Sequence, residues 1–346
     1  MFSIRKRFIY VGTSFILIVT LFNHLNNFGE REHITKKDFA QEVKKNIFYN
    51  TNSNWIVVTS INEPNEQMKS LANIRNFKLL IIADKKSKTT TAQWNEAFKT
   101  NNVIHLSLKE QENLNFKSFS TTPFNSYTRK NLGYLYAIQN GAKYIYDTDD
   151  DNAPLVDINE YFNFDMYDHG LIFEKNYKNE NNNEIQILNP YAHFGQPLIW
   201  PRGHPLTQIQ QTNESFKYVC GRRKTSWVQQ GVVNGDPDVD AIFRLTKSHK
   251  FKRIDIQFDP ISPSIQYPRG TMAPYNAQNT FFHYEAFWSL YLPKTVSVRV
   301  TDIWRSYWAQ RLMWLLNGTI TFNGPCAYQL RSQHSYLNDF KLVNFF

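Results

Sequence analysis

The chain of 346 residues contains only two cysteines, Cys220 and Cys326. Two cysteines are too few for a disulfide-rich scaffold and do not favour a metal site. In an oxidising compartment they could form one disulfide, and the alternative is two buried free thiols. The sequence also lacks internal repeats, low-complexity tracts, long Lys/Arg runs and zinc-finger or RNP-like motifs. Nucleic-acid binding is therefore not expected, although the formal charge of +9 favours phosphates, nucleotides or anionic membranes as partners.

The N-terminus has the pattern of a membrane anchor. Arg5, Lys6 and Arg7 precede an apolar stretch from Phe8 to Phe22, which Leu25 extends. A helix of about 15 residues is about 22 Å long, which is short for a span. A cleaved signal peptide is the alternative, but no small-residue cleavage motif follows the stretch. Because the cations come first, we expect a type II orientation. The predicted segments are a cytoplasmic tail (1–7), a signal-anchor transmembrane helix (8–25), a stem (26–54) and a lumenal domain (55–346).

Two glycosylation triplets agree with a lumenal domain. They are Asn213-Glu-Ser215 and Asn317-Gly-Thr319. Such triplets also arise by chance, so they support the topology without establishing it.

Strand and helix patterns alternate through the first half of the predicted lumenal domain. This alternation predicts βαβ units, and therefore an α/β fold with a Rossmann-type, mostly parallel sheet and flanking helices. The second half is less regular, and its prolines favour loops around a cleft. The predicted strands are Trp55–Thr59, Lys78–Ala83, Val103–Leu108 and Lys143–Tyr146. The predicted helices are Glu66–Ile74, Ala92–Phe98, Asn125–Gly141 and Ile303–Leu316.

Four aspartates lie within five residues at the end of the fourth predicted strand: Asp147, Asp149, Asp150 and Asp151. Open α/β sheets bind ligands at the ends of their strands. Carboxylates this close repel one another unless a cation neutralises them. Oxygen ligands favour Mg²⁺ or Mn²⁺ over zinc. The segment therefore indicates a divalent metal that holds a phosphate, and a solvated acidic turn is the alternative.

The helix before this strand has features that suit an anion site against a sheet. Asn125 or Ser126 would cap its start, and Gly141 would end it in the left-handed conformation. Cations in its first turn, at positions 129 and 130, would join free N–H groups in binding an anion. Gly133 would let the helix backbone approach the sheet closely.

These features together resemble nucleotide-sugar glycosyltransferases of the GT-A fold, which carry a comparable Arg-Asn-x-Gly helix before a strand ending in Asp-x-Asp. More narrowly, the chain resembles the STELLO-type glycosyltransferases, the DUF288 family. The resemblance extends from about Trp55 to Trp314 and is specific as a set. The segments that carry it are Asn54–Asn62, Pro123–Ala142, Gly235–Thr246, Ala273–Thr280, Ala286–Pro293 and Arg299–Arg305.

The resemblance implies a nucleotide-sugar donor, with a UDP-sugar as the family habit, and Mn²⁺ or Mg²⁺ between an Asp-x-Asp pair and the diphosphate. The metal pair is Asp149 and Asp151 or, in the other register, Asp147 and Asp149. The Asp-Asp-Asp-Asn sequence of some GT-A families favours the first register, which leaves Asp147 near the metal or the ribose. The residues expected to contact the nucleotide are Arg129, Lys130, Asp84 and Asp147.

An inverting transfer also needs a base that deprotonates the acceptor hydroxyl. Asp302 is the first candidate, with Trp304 beside it as a platform for a sugar. Asp238 is the second, although the alternating acids of Gly235–Asp240 could instead bind acceptor, cap a helix or be solvated. His283 could complete the metal shell or be a hydrogen-bonded core residue.

The resemblance further implies a Golgi or other secretory-pathway membrane protein that acts on a glycan or glycoprotein acceptor and has protein partners there. A non-catalytic, transferase-like scaffold is one alternative. A metal-dependent phosphotransferase is another, because a strand followed by Asp-x-Asp also begins haloacid-dehalogenase-type sites. In that class the nucleophile lies near the start of the domain and a Thr stands where this chain has Asp151.

Overall fold

The computed structural model describes residues 54–98, 100, 102–174, 185–209, 217–247 and 254–330. The predicted tail and signal-anchor helix lie outside these residues, as do the stem before Asn54 and the triplet at Asn213. Within the described ranges, no helix combines the length and the apolar character needed to cross a membrane.

A large mixed sheet with helices on both faces organises the described residues. The strands are β1 (Asn54–Thr59), β2 (Phe77–Ile82), β3 (Val103–Leu106), β4 (Tyr144–Thr148), β5 (Asn152–Pro154), β6 (Tyr167–Glu174), β7 (Gln186–Ile187), β8 (Lys217–Lys224), β9 (Val228–Gly235), β10 (Ile265–Tyr267), β11 (Thr271–Met272), β12 (Asn279–His283) and β13 (Ile320–Gln329). The α-helices are α1 (Glu66–Ala72), α2 (Thr91–Phe98), α3 (Leu108–Asn113), α4 (Lys130–Gln139), α5 (Ile158–Tyr161), α6 (Pro190–His193), α7 (Ala241–Lys247) and α8 (Thr301–Met313). Short 3₁₀ segments cover Tyr127–Arg129, Leu206–Gln208, Tyr284–Leu290 and Trp314–Leu316.

The strand order is β3-β2-β1-β4-β12-β9-β13-β10-β6-β8, with β5 paired to β13, and β7 and β11 form a separate pair. Strands β3, β2, β1 and β4 are parallel, which confirms the predicted α/β class and its βαβ half. Beyond β4 the sheet is more mixed than predicted, because β12 is antiparallel to both β4 and β9. Antiparallel neighbours need no crossover helix, in agreement with the irregular second half of the sequence.

Buried apolar side chains cover both faces of the sheet. Consecutive residues of a strand point to opposite faces, so Ile145 and Tyr146 of β4 belong to two different clusters. We call the Ile145 side the first face, on which α4 and α8 pack through residues such as Ala137 and Ala309. The Tyr146 side is the second face, on which α1 and α2 pack through residues that include Trp94.

The segment before β4 begins with the 3₁₀ turn, and only then continues as α4. The Ser126 hydroxyl accepts a hydrogen bond from Thr128 N at 3.3 Å, so it caps the 3₁₀ turn. Gly141 follows the helix with φ of 76°, the left-handed conformation that the sequence predicts. The predicted helix and its glycine end are therefore confirmed, with the first turn tighter than an α-helix.

Gly133 lies where α4 crosses the sheet. A Cβ added there would be 2.7 Å from Val57 Cγ1 and 2.8 Å from Ile82 Cγ1. Distances this short are repulsive for carbon atoms. Glycine thus allows the close approach of α4 to β1 and β2 that the sequence predicts, and it fixes the position of the α4 N-terminus beside β4.

The two cysteines do not form a disulfide. Cys220 is exposed on β8, whereas Cys326 is buried in β13. Burial raises the pKa of the Cys326 thiol to about 12, which makes it an inert core residue.

Candidate nucleotide and metal site

Asp147 lies inside β4, one residue beyond the predicted end of the strand, and its side chain is fully buried on the first face. Its carboxylate forms ion pairs with Lys130 Nζ at 2.7 Å and with Arg305 Nη2 at 3.0 Å. All three side chains are 0% exposed. A buried carboxylate between two buried cations is a structural anchor, so Asp147 is not free to bind a solvent-borne metal in this arrangement.

Lys130 joins α4 to the segment Asp147–Asp151, which we call the acidic turn. Besides Asp147, its ammonium lies 3.3 Å from Asp149 Oδ1 and donates to Thr148 O at 2.6 Å and Ala277 O at 3.3 Å. Burial alone would lower the pKa of Lys130, but Asp147 and Asp149 outweigh it and the pKa is raised. A permanent positive charge therefore lies directly beneath the turn.

Asp149 is the first acid of the turn that reaches solvent, with 34% of its side chain exposed. Desolvation by the surrounding protein raises its pKa to about 7, its three neighbouring aspartates act in the same direction, and Lys130 opposes them. A bound cation would favour the ionised form of such a carboxylate.

Asp151 is partly exposed, and a residue distant in sequence orients its carboxylate. Gln329 Nε2, at the end of β13, donates to both carboxylate oxygens at 3.0 Å. Gln278 Nε2 in turn donates to Gln329 Oε1 at 2.6 Å. Hydrogen bonds of this kind fix the direction in which a carboxylate presents its lone pairs. Sequence reasoning missed Gln329, and its separation of 178 residues from Asp151 leaves no local signal.

Asp150 points instead towards the end of β1. It accepts hydrogen bonds from Ser60 Oγ at 2.6 Å and Asn62 Nδ2 at 3.0 Å. The loop after β2 also contacts the end of β1, because Ser87 Oγ donates to Ser60 O at 3.0 Å. That loop carries three exposed lysines that sequence reasoning also missed, and they are Lys85, Lys86 and Lys88.

Asp149 and Asp151 are thus the two partly exposed carboxylates of the turn that do not point towards the end of β1. Among the residues that the structure describes, no group of three or more His, Cys, Asp and Glu side chains could hold a metal alone. One or two carboxylates, completed by phosphate and water, are the usual protein contribution to a Mg²⁺ site. The donor set therefore fits a metal that binds together with a phosphorylated ligand.

Two residues predicted to contact the nucleotide are satisfied within the protein. Arg129 is 0% exposed and donates to Gln111 Oε1 at 2.5 Å and 3.2 Å. The Asp84 carboxylate accepts from the backbone N–H groups of Asn125 and Ser126 at 2.8 and 2.9 Å. Both side chains hold the loop and 3₁₀ turn before α4, and their contact with a nucleotide stays a prediction.

The two predicted bases meet around Arg202, which sequence reasoning missed. The Arg202 guanidinium contacts Asp238 Oδ2 at 2.6 Å and Asp302 Oδ2 at 2.7 Å. Burial alone would lower the pKa of Arg202, but the two carboxylates outweigh it and raise the pKa well above its usual value. Asp302 Oδ2 also accepts from Ala277 N at 3.3 Å, and Ala277 O accepts from Lys130. One backbone residue therefore links the Arg202 cluster to the acidic turn.

The oxygens of both predicted bases already accept several hydrogen bonds. Asp302 Oδ1 accepts from Arg202 Nη1 at 2.9 Å and from Ile303 N at 3.0 Å, and Asn276 Nδ2 donates to Asp238 at 3.0 Å. The lone pairs that a base would use are therefore largely occupied by donors of the protein. The role of the two aspartates as bases stays a prediction, and it requires that Arg202 move away.

The remaining candidates lie apart from the acidic turn or have structural partners. His283 pairs with Tyr144 at the opposite end of β4 from Asp149 and bonds Gln229 and Asn163, so it is a hydrogen-bonded core residue. Trp304 is 49% exposed on α8. Asp236 pairs with Arg244, and Asp240 Oδ1 accepts from Ile242 N at 2.8 Å, which caps α7.

Two Arabidopsis thaliana proteins are similar to most of this chain. "Probable glycosyltransferase STELLO1" is 38% identical over 287 residues, which are 82% of this chain and 36% of that protein. "Probable glycosyltransferase STELLO2" is 37% identical over 285 residues, with the same coverage of 82% and 36%. The chain thus spans about a third of the length of the curated relatives it matches, and no family model matches it. These similarities confirm the resemblance read from the sequence: over 82% of its length, the chain is related to the STELLO-type glycosyltransferases.

Proposed function

We propose that this chain transfers a sugar from a nucleotide-sugar, with Mn²⁺ or Mg²⁺ held by Asp149 and Asp151. The observation that carries the proposal is that the aspartates of the acidic turn differ in burial and in their partners. Asp147 is held by two buried cations, whereas Asp149 and Asp151 are partly exposed at the carboxyl end of a parallel strand. Ligands of α/β sheets bind at this edge.

The chain's own residues would prepare this edge for a diphosphate. Lys130 forms an ion pair with Asp149, and Gln329 orients the Asp151 carboxylate through hydrogen bonds. The exposed lysines at positions 85, 86 and 88 follow β2, whose neighbour β1 lies beside β4. Cations at this position attract the phosphates of a nucleotide and stabilise the negative charge that develops on the departing diphosphate. When bound, the metal would supply further neutralisation of the same leaving group.

The finer features belong to the same proposal. The donor is a UDP-sugar, and the acceptor is a glycan or glycoprotein. The protein is a type II membrane protein of the Golgi with its described domain in the lumen, where it also meets protein partners. The exposed position of Asn317, the first residue of a glycosylation triplet, supports a lumenal domain.

Nucleotide binding with and without metal tests the proposal. The full chain should bind UDP in the presence of Mn²⁺ and lose at least about tenfold in affinity when the metal is removed. Asp149→Ala should abolish the metal-dependent part of the binding. Gln329→Leu should weaken metal binding by about 10- to 100-fold, because it removes the groups that orient Asp151.

Asp150→Asn is the matched control, since Asp150 is adjacent in sequence but points to Ser60 and Asn62. It should retain metal-dependent binding. A chain that binds no member of a nucleotide-sugar panel would be a scaffold without transferase activity. Hydrolysis of a phosphomonoester through an aspartyl-phosphate would instead identify a phosphotransferase.

A further inference from the structure

A polar cavity lies on the second face of the sheet, away from the proposed transfer site. Tyr146 and Asp147 are consecutive in β4 and point to opposite faces. Tyr146 pairs with Phe281 of β12, and Phe281 pairs with Gln229 of β9. Gln229 lines the cavity. The body of the sheet therefore separates this cavity from the Asp147 carboxylate and its two buried cations.

Two neighbouring pockets make up this cavity, and Tyr161, Asn163 and Asp168 line both. We call the smaller, more enclosed pocket the inner part and the larger, more open pocket the outer part. The inner part has a volume of about 180 Å³, and the outer part has a volume of about 430 Å³. Pockets of roughly 300–1,000 Å³ are typical of small-ligand sites. The outer part is thus large enough for a ligand, and the inner part can take one of its rings or substituents.

One buried donor at the inner wall has no protein partner. Asn323 is only 6% exposed, and its side-chain Nδ2 donates to no group in the described part of the chain. A buried amide without a partner is costly, and native structures seldom retain one. The pairing of β13 with β9 shifts register between Asn323 and Pro325. Such bulges often re-aim a side chain towards a ligand.

The other walls of the inner part are mainly neutral and polar. Gln229 is bonded to Asn163 and His283. The Ser262 hydroxyl donates to Asp259 and the Ser264 hydroxyl accepts from Arg223, so each hydroxyl keeps further hydrogen-bonding capacity for a ligand. The charge of Asp168 is paired with Arg223 at 2.6 Å. The described residues that line the inner part include no Lys, Arg or His, so this part offers no cation to a phosphate. Neutral amides and hydroxyls instead match the many hydroxyl groups of a sugar, each of which both donates and accepts.

An aromatic ring lies at the mouth of the outer part. Tyr167 is 48% exposed, and the Arg222 guanidinium packs on its ring at 4.1 Å from the centroid. Both residues line the outer part. Because Arg222 covers one face of this ring, a pyranose would place its apolar C–H face on the opposite face.

We propose that this cavity is a second carbohydrate site, which binds a neutral oligosaccharide with Asn323 donating from its inner wall and Tyr167 stacking at its mouth. The site goes beyond the proposed transfer reaction, because it needs neither metal nor nucleotide. It would hold a glycan chain on the face of the sheet opposite Asp147.

Binding of the full chain to an array of neutral oligosaccharides, without metal or nucleotide, tests the proposal. For the best oligosaccharide on the array, Asn323→Leu keeps the side-chain volume but removes the donor, and it should raise Kd by about tenfold. Tyr167→Ala should have an effect of similar size, and its exposed position makes loss of folding unexpected. The melting temperature of each variant reports whether it is folded.

Tyr291→Ala is the control, because Tyr291 is also 49% exposed but lies outside the lining of the cavity. It should leave Kd unchanged. The proposal is overturned if no neutral oligosaccharide binds, if both cavity variants bind as well as the parent, or if only inorganic phosphate or Ca²⁺ binds there. Since no metal or nucleotide is present, these results do not depend on whether Asp149 holds a donor.

Discussion

The four aspartates of the acidic turn are within five residues of one another in sequence, but their side chains have different surroundings. Asp147 faces Lys130 and Arg305 in the core, and Asp150 faces Ser60 at the end of β1. Asp149 and Asp151 remain for a ligand. The sequence alone permits two metal registers, because it does not show which side of β4 each acid faces.

Replacement of Asp147 separates the two registers. Asp147→Asn removes the negative charge between two buried cations, and the free energy of unfolding should fall by about 3 kcal/mol. Urea denaturation measures this loss. Asp150→Asn, at a half-exposed position, should lose less than about 1 kcal/mol. If Asp147→Asn is fully stable but loses metal-dependent nucleotide binding, Asp147 is a ligand and the other register is correct.

His283 makes stability depend on pH. Burial lowers its pKa from 6.5 to about 4, and the bond to Asn163 O opposes this only in part. Below pH 6.5 the unfolded chain binds a proton that the folded chain rejects, so stability falls as the pH drops from 6.5 towards 4. The loss is on the order of 3 kcal/mol at the lower end.

Thermal or urea unfolding at pH 7 and pH 4.5 measures this effect. His283→Gln should show a smaller loss of stability between the two pH values than the parent chain. His169→Gln, at an exposed position, should behave like the parent. Equal pH dependence in the His283 variant and the parent would contradict the assignment.

At the scale of elements, α4 is placed by its contact with β1 and β2. Gly133→Ala should gain about 1 kcal/mol of helix propensity, but overpacking against Val57 and Ile82 should cost about 3 kcal/mol. We expect a net loss of about 2 kcal/mol in the free energy of unfolding, measured by urea denaturation. Gly221→Ala in β8 is the control, since its added Cβ meets no atom within 4 Å. A neutral or stabilising Gly133→Ala would mean that α4 can move outward freely.

The sequence predicts the elements of the parallel half well because each strand there is followed by its own helix. The predicted strands at Trp55 and Lys78 match β1 and β2 within one residue at each end. The arrangement of the second half could not be predicted in this way. Its longer strands do not alternate with helices one by one, and β13 pairs with β9 and β5, which lie far back in the chain.

The same distinction applies to the candidate site. Asp149 and Asp151 could be recognised as candidate metal ligands because they follow directly after a predicted strand in the sequence. Arg202 and Gln329 were not, because each acts on a residue about 36 to 178 positions away. Spacing along the chain carries no signal for such contacts, and a buried ion pair resembles a catalytic carboxylate until its partner is seen.

At the scale of the whole molecule, the acidic turn is a junction between distant parts of the chain. Asp150 is tied to the end of β1, Asp149 to α4, and Asp151 to the end of β13. A ligand that binds across this junction should therefore stabilise the entire described domain. At a concentration of 100 times Kd, binding to the folded state alone adds about 2.7 kcal/mol.

We expect Mn²⁺ with UDP, each at saturating concentration, to raise the melting temperature by about 5 °C or more. Asp149→Ala should remove this shift, because the metal loses a ligand. Tyr167→Ala should keep it, because Tyr167 lies at the cavity on the second face of the sheet. A shift that survives Asp149→Ala would place nucleotide binding elsewhere. A shift lost in Tyr167→Ala would mean that the two faces are coupled, since the sheet would then transmit binding at its edge to the polar cavity.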